Sequence, residues 1–428
     1  MLPKVPLLLA LSTGLAWGQA KPVVLKAARL WDGKGDAALK EGMVILQNGR
    51  ITAVGSGLPV PSGAEVMDLG NATLLPGLID AHTHLLLQDL EAKDLNRQDE
   101  LIFRPIYAQG TPLRTLVGAA NAKAMLEAGF TTVRDLGNSG LNGDLALRDG
   151  IRMGLVPGPR IVASSRALAP LGGQFSRLTR EARTLEGQEY AEVASPEEAL
   201  KATREAFADG ADCIKVIVDA RLSLGLAELK AIVGEAHRMH RKVAAHAVSD
   251  AAVDAALEAG VDSLEHGYHL KEAQAKVMAQ RHIFLVPTDF SSQTLEPFSP
   301  TPEDRADVQK ALEGNRRRLL TAKRLGVPIA LGSDAYFTWG GRSRGESAKD
   351  VFRAFVESGL TPVETLRAAT RDAAELLGLA GEVGTLAPGA VADVMAVEGD
   401  PLVDVAALSQ VRLVLQGGRV VARRLPAP

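Results

Sequence analysis

The sequence predicts an α/β fold, namely a distorted (β/α)8 TIM-type barrel with a small discontinuous β-sandwich domain formed by both chain ends. Two observations indicate this class. In residues 77–376, eight apolar segments with strand character alternate with helical patterns, which favours a closed parallel barrel over an open sheet. Near both ends, short apolar segments flank turn-forming dipeptides, as in β-hairpins. A chain of 428 residues is long enough for one such barrel and a smaller domain.

Residues 1–20 have the pattern of a secretory signal peptide. Lys4 precedes an apolar run over residues 5–11, and small residues follow that run. The run is too short to span a bilayer. We therefore expect an exported mature protein, periplasmic in a Gram-negative cell or otherwise secreted, that begins after Gly18 or Ala20 and has no stable membrane insertion. The alternative is a retained apolar tail.

The small β domain is predicted over residues 21–76 and 377–428. In the first segment, Asn48-Gly49 separates two short apolar runs, which is a strong hairpin signal. In the second segment, Gly417-Gly418 separates two similar runs. Because both ends of the chain contain β segments of the same style, we expect them to form one discontinuous domain.

The predicted barrel covers residues 77–376. Its helices are marked by periodic apolar faces, as in residues 226–236. A capping box with proline at the first helical position, in residues 361–364, predicts a helix that extends to residue 377. The eight strand-like segments are residues 78–84, 131–136, 160–164, 213–218, 243–246, 263–266, 284–287 and 329–334.

Several of these strand-like segments end in residue types that bind divalent metal ions. In a parallel barrel, catalytic side chains lie at the carboxyl ends of the strands. His82 and His84 are two positions apart, so on a strand they face the same side and can reach one metal. Four imidazoles, one carboxylate and one lysine suit a two-metal hydrolytic site. The candidate ligands are His82, His84, Lys215, His246, His266 and Asp334.

Lys215 interrupts an otherwise apolar strand, and this position makes it unusual. Burial of an ammonium group is costly and should lower its pKa. A neutral lysine amine can add carbon dioxide to form a carbamate, an anion whose two oxygens can bridge two metals. The alternative is a lysine that pairs with Asp212 or Asp219, or that extends to solvent. Because four histidines accompany Lys215, we favour the carbamate.

Composition excludes several other classes of partner. The net charge is -3, no long basic run is present, and aromatic residues make up 4% of the chain. These values argue against nucleic acid and membrane surfaces as partners and leave a small-molecule substrate. Cys213 is the one cysteine, so the chain has no internal disulfide, and we interpret its side chain as a small buried hydrophobic group.

Taken together, the candidate segments closely resemble motifs of the metal-dependent amidohydrolase superfamily, over nearly the whole mature chain. PGLIDAHTH (residues 76–84) resembles the superfamily's first-strand metal motif. GFTTVRDLG (residues 129–137) is similar to a second motif, and residues 384–402 resemble the returning strands of the superfamily's small β domain. The combination of motifs is highly specific for the superfamily.

This resemblance implies a role for each candidate ligand. The more buried metal is bound by the first-strand pair, the second metal by the histidines of strands five and six, and a carboxylated lysine bridges both metals. The last-strand aspartate binds metal and transfers protons. In this sequence the first-strand pair is His82 and His84, and the histidines of strands five and six are His246 and His266. The bridging lysine is Lys215, and the last-strand aspartate is Asp334. Ligation rich in histidine suits two zinc ions, and manganese, cobalt or iron would also fit.

Within the superfamily, the chain is most similar to the imidazolonepropionase-like branch, which includes secreted Xaa-Pro-type dipeptidases and ochratoxin-degrading amidohydrolases. Residues 158–175 resemble the third-strand motif of that branch. The branch often has a histidine after the Gly-Gly pair of this motif, where this chain has Gln174. The loop after the fourth strand, between Lys215 and His246, is also short.

The expected reaction is metal-assisted hydrolysis of an amide bond in a small peptide-like substrate, either a dipeptide or an N-acyl amino acid. Asp334 is expected to take the proton of the attacking water and to pass it to the leaving amine. A second enzyme hypothesis is hydrolysis of a cyclic amide or a lactone at the same site. A mononuclear deaminase fits less well, because such enzymes generally lack the bridging lysine. The non-enzyme hypothesis is an exported protein that binds metal or a small molecule on an inactive barrel.

Substrate contacts are expected from the strand-to-helix loops, which carry specificity in barrel enzymes. Arg342 or Arg344 could pair with a substrate carboxylate, although solvated surface arginines are the alternative. The candidate substrate-binding residues are Tyr268, Gln174, Arg342 and Arg344. Barrel enzymes of this kind often form homo-oligomers, so a second copy of the chain is a further candidate partner.

Overall fold

The computed structural model of the protein describes residues 21–88, 103–175 and 177–424. The predicted signal segment, residues 1–20, lies outside this range. Among the described residues, no helix combines the length and apolar character needed to cross a membrane.

The described residues form seventeen strands and fourteen α-helices. The strands are β1 (Val23–Leu30), β2 (Leu39–Gln47), β3 (Arg50–Ser56), β4 (Glu65–Asp68), β5 (Ala72–Pro76), β6 (Leu78–Thr83), β7 (Phe130–Asp135), β8 (Arg160–Ala163), β9 (Ala167–Ala169), β10 (Tyr190–Glu192), β11 (Ile214–Ile217), β12 (Val243–Ala247), β13 (Ser263–His266), β14 (Phe284–Val286), β15 (Val394–Glu398), β16 (Val411–Gln416) and β17 (Arg419–Arg423). The helices are α1 (Arg104–Ala108), α2 (Thr111–Glu127), α3 (Gly143–Arg152), α4 (Glu186–Glu189), α5 (Pro196–Asp209), α6 (Leu226–Arg238), α7 (Asp250–Ala259), α8 (Glu272–Arg281), α9 (Ser292–Leu295), α10 (Pro302–Leu325), α11 (Arg344–Ala348), α12 (Asp350–Glu357), α13 (Pro362–Ala368) and α14 (Arg371–Leu376).

The two chain ends form one hydrogen-bonded sheet, as predicted. Its strand order is β17-β16-β15-β5-β1-β2-β3, and β4 pairs with β1. The ends of the chain meet where β15 runs antiparallel to β5, with Ala396 opposite Leu74. Both predicted hairpins are present, because Asn48-Gly49 and Gly417-Gly418 adopt the positive φ angles that such tight turns require. The discontinuous β domain is therefore confirmed.

Parallel strands form the predicted barrel in two arcs. One arc contains β6, β7 and β8, and the other has the order β10-β9-β11-β12-β13-β14. The arcs meet where the backbone N–H of Asp212 donates to the carbonyl of Ala163, at 2.8 Å. The barrel strands bury their apolar side chains in one large core that they share with the surrounding helices. This arrangement places the carboxyl ends of all barrel strands around a single opening.

The third barrel strand is broken, which the sequence did not predict. β8 belongs to one arc and β9 to the other, and Ser165 between them has a φ of 61°. The carboxylate of Asp144 accepts a hydrogen bond from the backbone N–H of Ser165, at 2.7 Å, and so holds the break. β9 then pairs with β11 through Leu168 and Val216. This break is one source of the distortion of the barrel.

The eighth predicted strand, residues 329–334, closes the barrel without forming a regular ladder. On one side the segment forms one bridge, between Ile329 and Leu285. On the other side the backbone N–H of Asp334 donates to the backbone carbonyl of His82 at 2.8 Å. Between these contacts, the N–H of Ser333 donates to the carboxylate of Asp80 at 2.9 Å. A side chain thus takes the place of a strand partner, so the prediction of a full strand was wrong although its position was right.

The helix predicted over residues 361–377 is divided into α13 and α14. Its start is as predicted, because Thr361 and Glu364 form the capping box. The interruption has a structural reason. The carbonyl groups of Ala368 and Ala369 accept hydrogen bonds from the backbone N–H groups of Leu331 and Ile79, at 2.8 and 2.7 Å. These two carbonyls therefore bind the barrel strands instead of continuing the helix.

Candidate active site

The six predicted metal ligands converge at the carboxyl ends of the barrel strands. His82 and His84 lie at the end of β6, and Lys215 lies within β11. The remaining three end β12, β13 and the eighth segment. All six line one cavity of about 500 Å³. The prediction that separate strands bring these residues together therefore agrees with the geometry.

Asp334 lies at the centre of the histidines. One of its carboxylate oxygens is 3.1 Å from His84 Nε2 and 3.7 Å from His82 Nε2, and the other is 3.8 Å from His266 Nδ1. Ligand atoms of His82, His266 and Asp334 all lie within 4.8 Å of one another, which is compact enough to hold a metal ion. Burial alone would raise the pKa of Asp334, but the neighbouring imidazoles outweigh it and lower that pKa, so the carboxylate is ionised at neutral pH.

Lys215 is buried beside this cluster, with 2% of its surface exposed. Its Nζ lies 3.5 Å from His82 Nε2. The sequence offered Asp212 and Asp219 as alternative partners for Lys215, but each of them has a different partner. Asp212 pairs with Arg148 at 2.8 Å, and Asp219 accepts hydrogen bonds from backbone N–H groups. Burial lowers the pKa of Lys215 to about 8. At pH 7 about a tenth of the amine is therefore neutral and nucleophilic, far more than for an exposed lysine.

His246 and His266 form the other side of the cluster. Their ring centroids are 4.6 Å apart, and His246 Nε2 lies 4.0 Å from a carboxylate oxygen of Asp219. Burial, followed by the charge of Lys215, lowers the pKa of His246 to about 4. Burial also lowers the pKa of His266 well below its usual value. Both imidazoles are therefore neutral at pH 7 and have a lone pair available for a metal ion.

A buried ion pair positions His82, and the sequence reasoning missed it. The Nδ1–H of His82 donates to Glu265 at 2.7 Å, and the second oxygen of Glu265 accepts from Arg134 at 2.9 Å. Arg134 also donates to the backbone carbonyl of Ala81 at 2.6 Å. Burial alone would raise the pKa of Glu265, but Arg134 and His82 outweigh it and lower that pKa to about 2. Glu265 therefore fixes the ring so that Nε2 faces the cluster.

Two of the other three histidines are held in the same way from outside the cluster. The Nδ1–H of His84 donates to the carbonyl of Gly137 at 3.0 Å, and His266 Nδ1 lies 2.8 Å from Thr288 Oγ1. His266, Thr288 and Asp334 all have positive φ angles, between 48° and 68°. Such backbone is unfavourable for residues other than glycine and recurs where side chains must be aimed at a site.

Aromatic side chains form much of the remaining lining of the cavity, and we call them the aromatic wall. Gln174 and Tyr268, two of the predicted substrate-binding residues, line the cavity. The hydroxyl of Tyr190 donates to the side-chain oxygen of Gln174 at 3.2 Å and fixes its amide. Arg221, which the sequence reasoning did not select, also lines the cavity. The aromatic side chains of the lining are Phe103, Phe175, Tyr190, Tyr268, Phe290 and Tyr336.

The two arginines predicted to contact substrate lie elsewhere. Arg344 is buried, and its guanidinium donates to the carbonyl groups of His84 and Leu87 at 3.1 and 3.0 Å. Arg342 lies over the ring of Trp339, with 5.2 Å between the guanidinium carbon and the ring centroid. Neither arginine is among the described residues that line the cavity. Arg344 instead supports the backbone that carries His84, so the structure gives it a positioning role.

The chain is similar to several known proteins over most of its length. The chain is 27% identical to ochratoxinase from Aspergillus niger, over 94% of this chain and 87% of that protein. It is 28% identical to imidazolonepropionase from Ralstonia nicotianae, over 85% of this chain and 87% of that protein. The crystal structure of a Xaa-Pro dipeptidase with methionine bound in its active site superposes with a TM-score of 0.78 at 26% identity, over 94% of this chain and 99% of that one.

The family model described as "Amidohydrolase family" matches residues 73–421, which include the whole barrel and the returning strands of the small domain. That superfamily generally uses metal ions, as the cluster of imidazoles and a carboxylate in this chain would allow. The resemblance seen in the sequence motifs is therefore confirmed, and the chain belongs to the amidohydrolase family of hydrolases.

Proposed function

We propose that the mature chain is an exported, binuclear metal-dependent amidohydrolase that cleaves an amide bond in a small peptide-like substrate, either a dipeptide or an N-acyl amino acid. One observation supports this most strongly. Four imidazoles, a carboxylate and a lysine from five barrel segments line one cavity of about 500 Å³. That volume suits a substrate of dipeptide size.

The donor set fits two divalent ions. His82 and His84 would hold one ion and His246 and His266 the other, and Lys215 and Asp334 would supply further ligands. Lys215 would serve as a carbamate, formed when its neutral amine attacks carbon dioxide, a nitrogen–carbon bond forms and a proton is released. Imidazole-rich ligation suits zinc, and manganese, cobalt or iron are alternatives. Bound there, the ions would polarise the scissile carbonyl and lower the pKa of a water molecule.

The side chains of the chain itself complete the reaction. Asp334 accepts a proton from the water as the water oxygen forms its bond to the carbonyl carbon. Asp334 then delivers that proton to the amine nitrogen as the carbon–nitrogen bond breaks. Its lowered pKa keeps the carboxylate ionised before the reaction begins. Glu265 and Thr288 hold their histidines still during these steps, which preserves the geometry of the site.

The relatives favour an amide as the scissile bond. One is named ochratoxinase and another is a Xaa-Pro dipeptidase, and both align with nearly the whole of this chain. The aromatic wall, which includes Phe175 and Tyr190, adds a surface for an apolar acyl group. A dipeptide or an N-acyl amino acid with an aromatic or aliphatic acyl part has both the amide bond and the apolar acyl group.

The test is mass-spectrometric detection of free amine from a library of dipeptides and N-acyl amino acids, with zinc-reconstituted mature protein. Asp334→Asn is the matched control, because it removes the proton acceptor and keeps the side-chain size. Release by the wild type alone would support the proposal. If the protein binds metal and opens only cyclic amides or lactones, the proposed bond is wrong. Labelled bicarbonate, followed by carbon NMR, tests for the carbamate on Lys215.

Export is a separate part of the proposal, supported by the pattern of residues 1–20. Expression of the full chain in a Gram-negative host, followed by N-terminal sequencing of the periplasmic protein, tests it. We expect a mature chain that begins after Gly18 or Ala20, whereas full-length protein confined to the cytoplasm would contradict export. Light scattering on the same sample would test the predicted homo-oligomer.

A further inference from the structure

A recess lined by arginines lies next to the cavity that contains the metal-ligand cluster. We call it the arginine recess, and it has a volume of about 570 Å³. It is formed by the loop between β9 and β10 together with the loop after β11. Its lining residues are Arg177, Leu178, Thr179, Arg180, Arg183 and Arg221. Four of its six lining side chains are therefore cationic.

The arginine recess and the active-site cavity are neighbours, because Arg221 lines both. The backbone approaches this guanidinium closely at Gly172, where an added Cβ atom would lie 3.2 Å from Arg221 Nη2. The next residue, Gly173, lies against the ring of Tyr190 and leads directly to Gln174 in the cavity wall. The Gly-Gly pair thus joins the two spaces, and a ligand that extends from one to the other passes Arg221.

The arginine recess has an excess of positive charge among the described residues. None of its four guanidinium groups forms an ion pair within 4 Å or a side-chain hydrogen bond with a described residue. The neighbouring acids are Glu181, which hydrogen-bonds Thr179, and the pair Glu186 and Glu192, which share a hydrogen bond. Burial, followed by the charge of Glu192, raises the pKa of Glu186, although the charges of Arg183 and Arg221 oppose this shift. Three carboxyl groups therefore compensate only part of the charge of the four arginines.

We propose that the arginine recess binds anionic groups of the substrate, and that the substrate is an amide of an acidic amino acid. The side-chain carboxylate of that amino acid extends from the cavity towards the recess and pairs with Arg221, which lines both spaces. The acyl part lies along the aromatic wall. Guanidinium groups suit this role, because they bind carboxylates through two parallel hydrogen bonds and stay charged at every working pH. This proposal rests on the proposed function and names its substrate class.

The test compares kcat/KM for Phe-Glu, Phe-Gln and Glu-Phe with the metal-loaded enzyme. Loss of a charge-assisted contact costs on the order of 1.5–3 kcal/mol, which corresponds to about 10–100-fold in kcat/KM. We expect Phe-Glu to exceed Phe-Gln by about tenfold or more, mainly through a lower KM. Arg221→Gln should reduce that preference to less than about threefold, and Arg221→Lys should retain part of it.

Arg342→Gln is the matched control, because Arg342 stacks on Trp339 and lies outside the lining of both spaces. The preference of the Arg342→Gln variant for Phe-Glu over Phe-Gln should equal that of the wild type. Equal hydrolysis of Phe-Glu and Phe-Gln would overturn this inference and leave the proposed amidohydrolase activity intact. A preference for Glu-Phe would also overturn it, since the acidic residue would then be in the acyl part.

A binding measurement tests the inference even if no dipeptide is cleaved. Equilibrium dialysis of the metal-loaded Asp334→Asn variant with N-acetyl-glutamate and N-acetyl-glutamine requires no turnover. We expect the glutamate compound to bind about tenfold more tightly, with the difference lost when Arg221→Gln is added. Equal binding of both compounds would overturn the inference. Thus failure of cleavage and failure of anion recognition can be distinguished.

Discussion

The two sides of the active-site cavity are held in different ways. The metal-ligand side consists of buried residues at strand ends, and each of its first-strand histidines is fixed by a partner outside the cluster, as Glu265 fixes His82. The loop side consists of irregular segments, in which Gln174 is held by Tyr190 and Arg221 is exposed. Reaction chemistry therefore depends on the rigid barrel, whereas substrate choice depends on loops that can change without loss of the fold.

The largest expected effect comes from the centre of the metal-ligand side. Asp334→Asn removes the proton acceptor, and we expect kcat to fall by about 10²–10⁴-fold. Metal content, measured by mass spectrometry of the purified protein, should change much less, because the histidines remain. A variant that keeps the wild-type rate would show that Asp334 transfers no proton. Loss of both metals would show instead that the carboxylate acts mainly as a ligand.

The next effect concerns the ion pair behind His82. Glu265→Gln leaves the buried guanidinium of Arg134 without its charged partner, and this should lower the free energy of unfolding by about 3–5 kcal/mol. Metal affinity should fall by about 10–100-fold, because the ring of His82 loses its fixed orientation. Denaturant unfolding and metal titration measure the two effects.

Glu258→Gln provides the control for the Glu265 variant. Glu258 pairs with Lys230 at 2.8 Å, but both side chains are more than half exposed, so solvent screens the pair. The expected change in unfolding free energy is about 0–1 kcal/mol. If both variants lost the same stability, burial would not be what makes the Arg134–Glu265 pair important.

A smaller effect is expected on the loop side. At Gly173, an added Cβ atom would lie 2.2 Å from the ring of Tyr190, and φ is 51°. Gly173→Ala should therefore cost about 1–3 kcal/mol and displace Gln174, which raises KM and leaves metal content unchanged. In Gly187→Ala, which lies in α4 of the same connection between β9 and β10, the added Cβ atom meets no atom within 4 Å, so the change should be neutral or slightly stabilising. Metal loss from Gly173→Ala would contradict the separation of the two sides.

The metal-ligand side was predictable from the sequence because local pattern and chemistry agree there. Lys215 stands out as a charge within an apolar strand, and His82 and His84 have the spacing of one strand face. The same signal was present for Glu265 and Arg134, which also interrupt apolar strands, yet no role was assigned to them. Charged residues inside barrel strands therefore mark the supporting shell as well as the ligands.

The loop side was less predictable, because its contacts are between distant segments. The sequence offered Arg342 and Arg344 as partners for a substrate carboxylate, and Arg344 is instead buried against backbone carbonyls. Arg221 has no local sequence pattern that distinguishes it from other surface arginines. Only the fold, which brings the backbone of Gly172 close to its guanidinium, places Arg221 at the cavity. The break at Ser165 was missed for the same reason, since Asp144, which holds it, is far away in the sequence.

A pH-dependent effect is expected at this break, which begins the loop side. Burial, followed by the charge of Asp135, raises the pKa of Asp144 from 3.8 to about 7. Between these values the folded protein binds more protons than the unfolded chain, so the contribution of Asp144 to stability is complete below the lower value and is lost as pH rises through the upper one.

Asp144→Asn removes this titration while its amide oxygen can still accept from Ser165. The wild type should therefore lose stability relative to the variant from about pH 4 to 7, by at most about 1.4 kcal/mol per pH unit. Urea unfolding of both proteins across this range measures the difference, in which groups common to both cancel. Parallel curves would mean that Asp144 is ionised in the folded protein and that the break tolerates its charge.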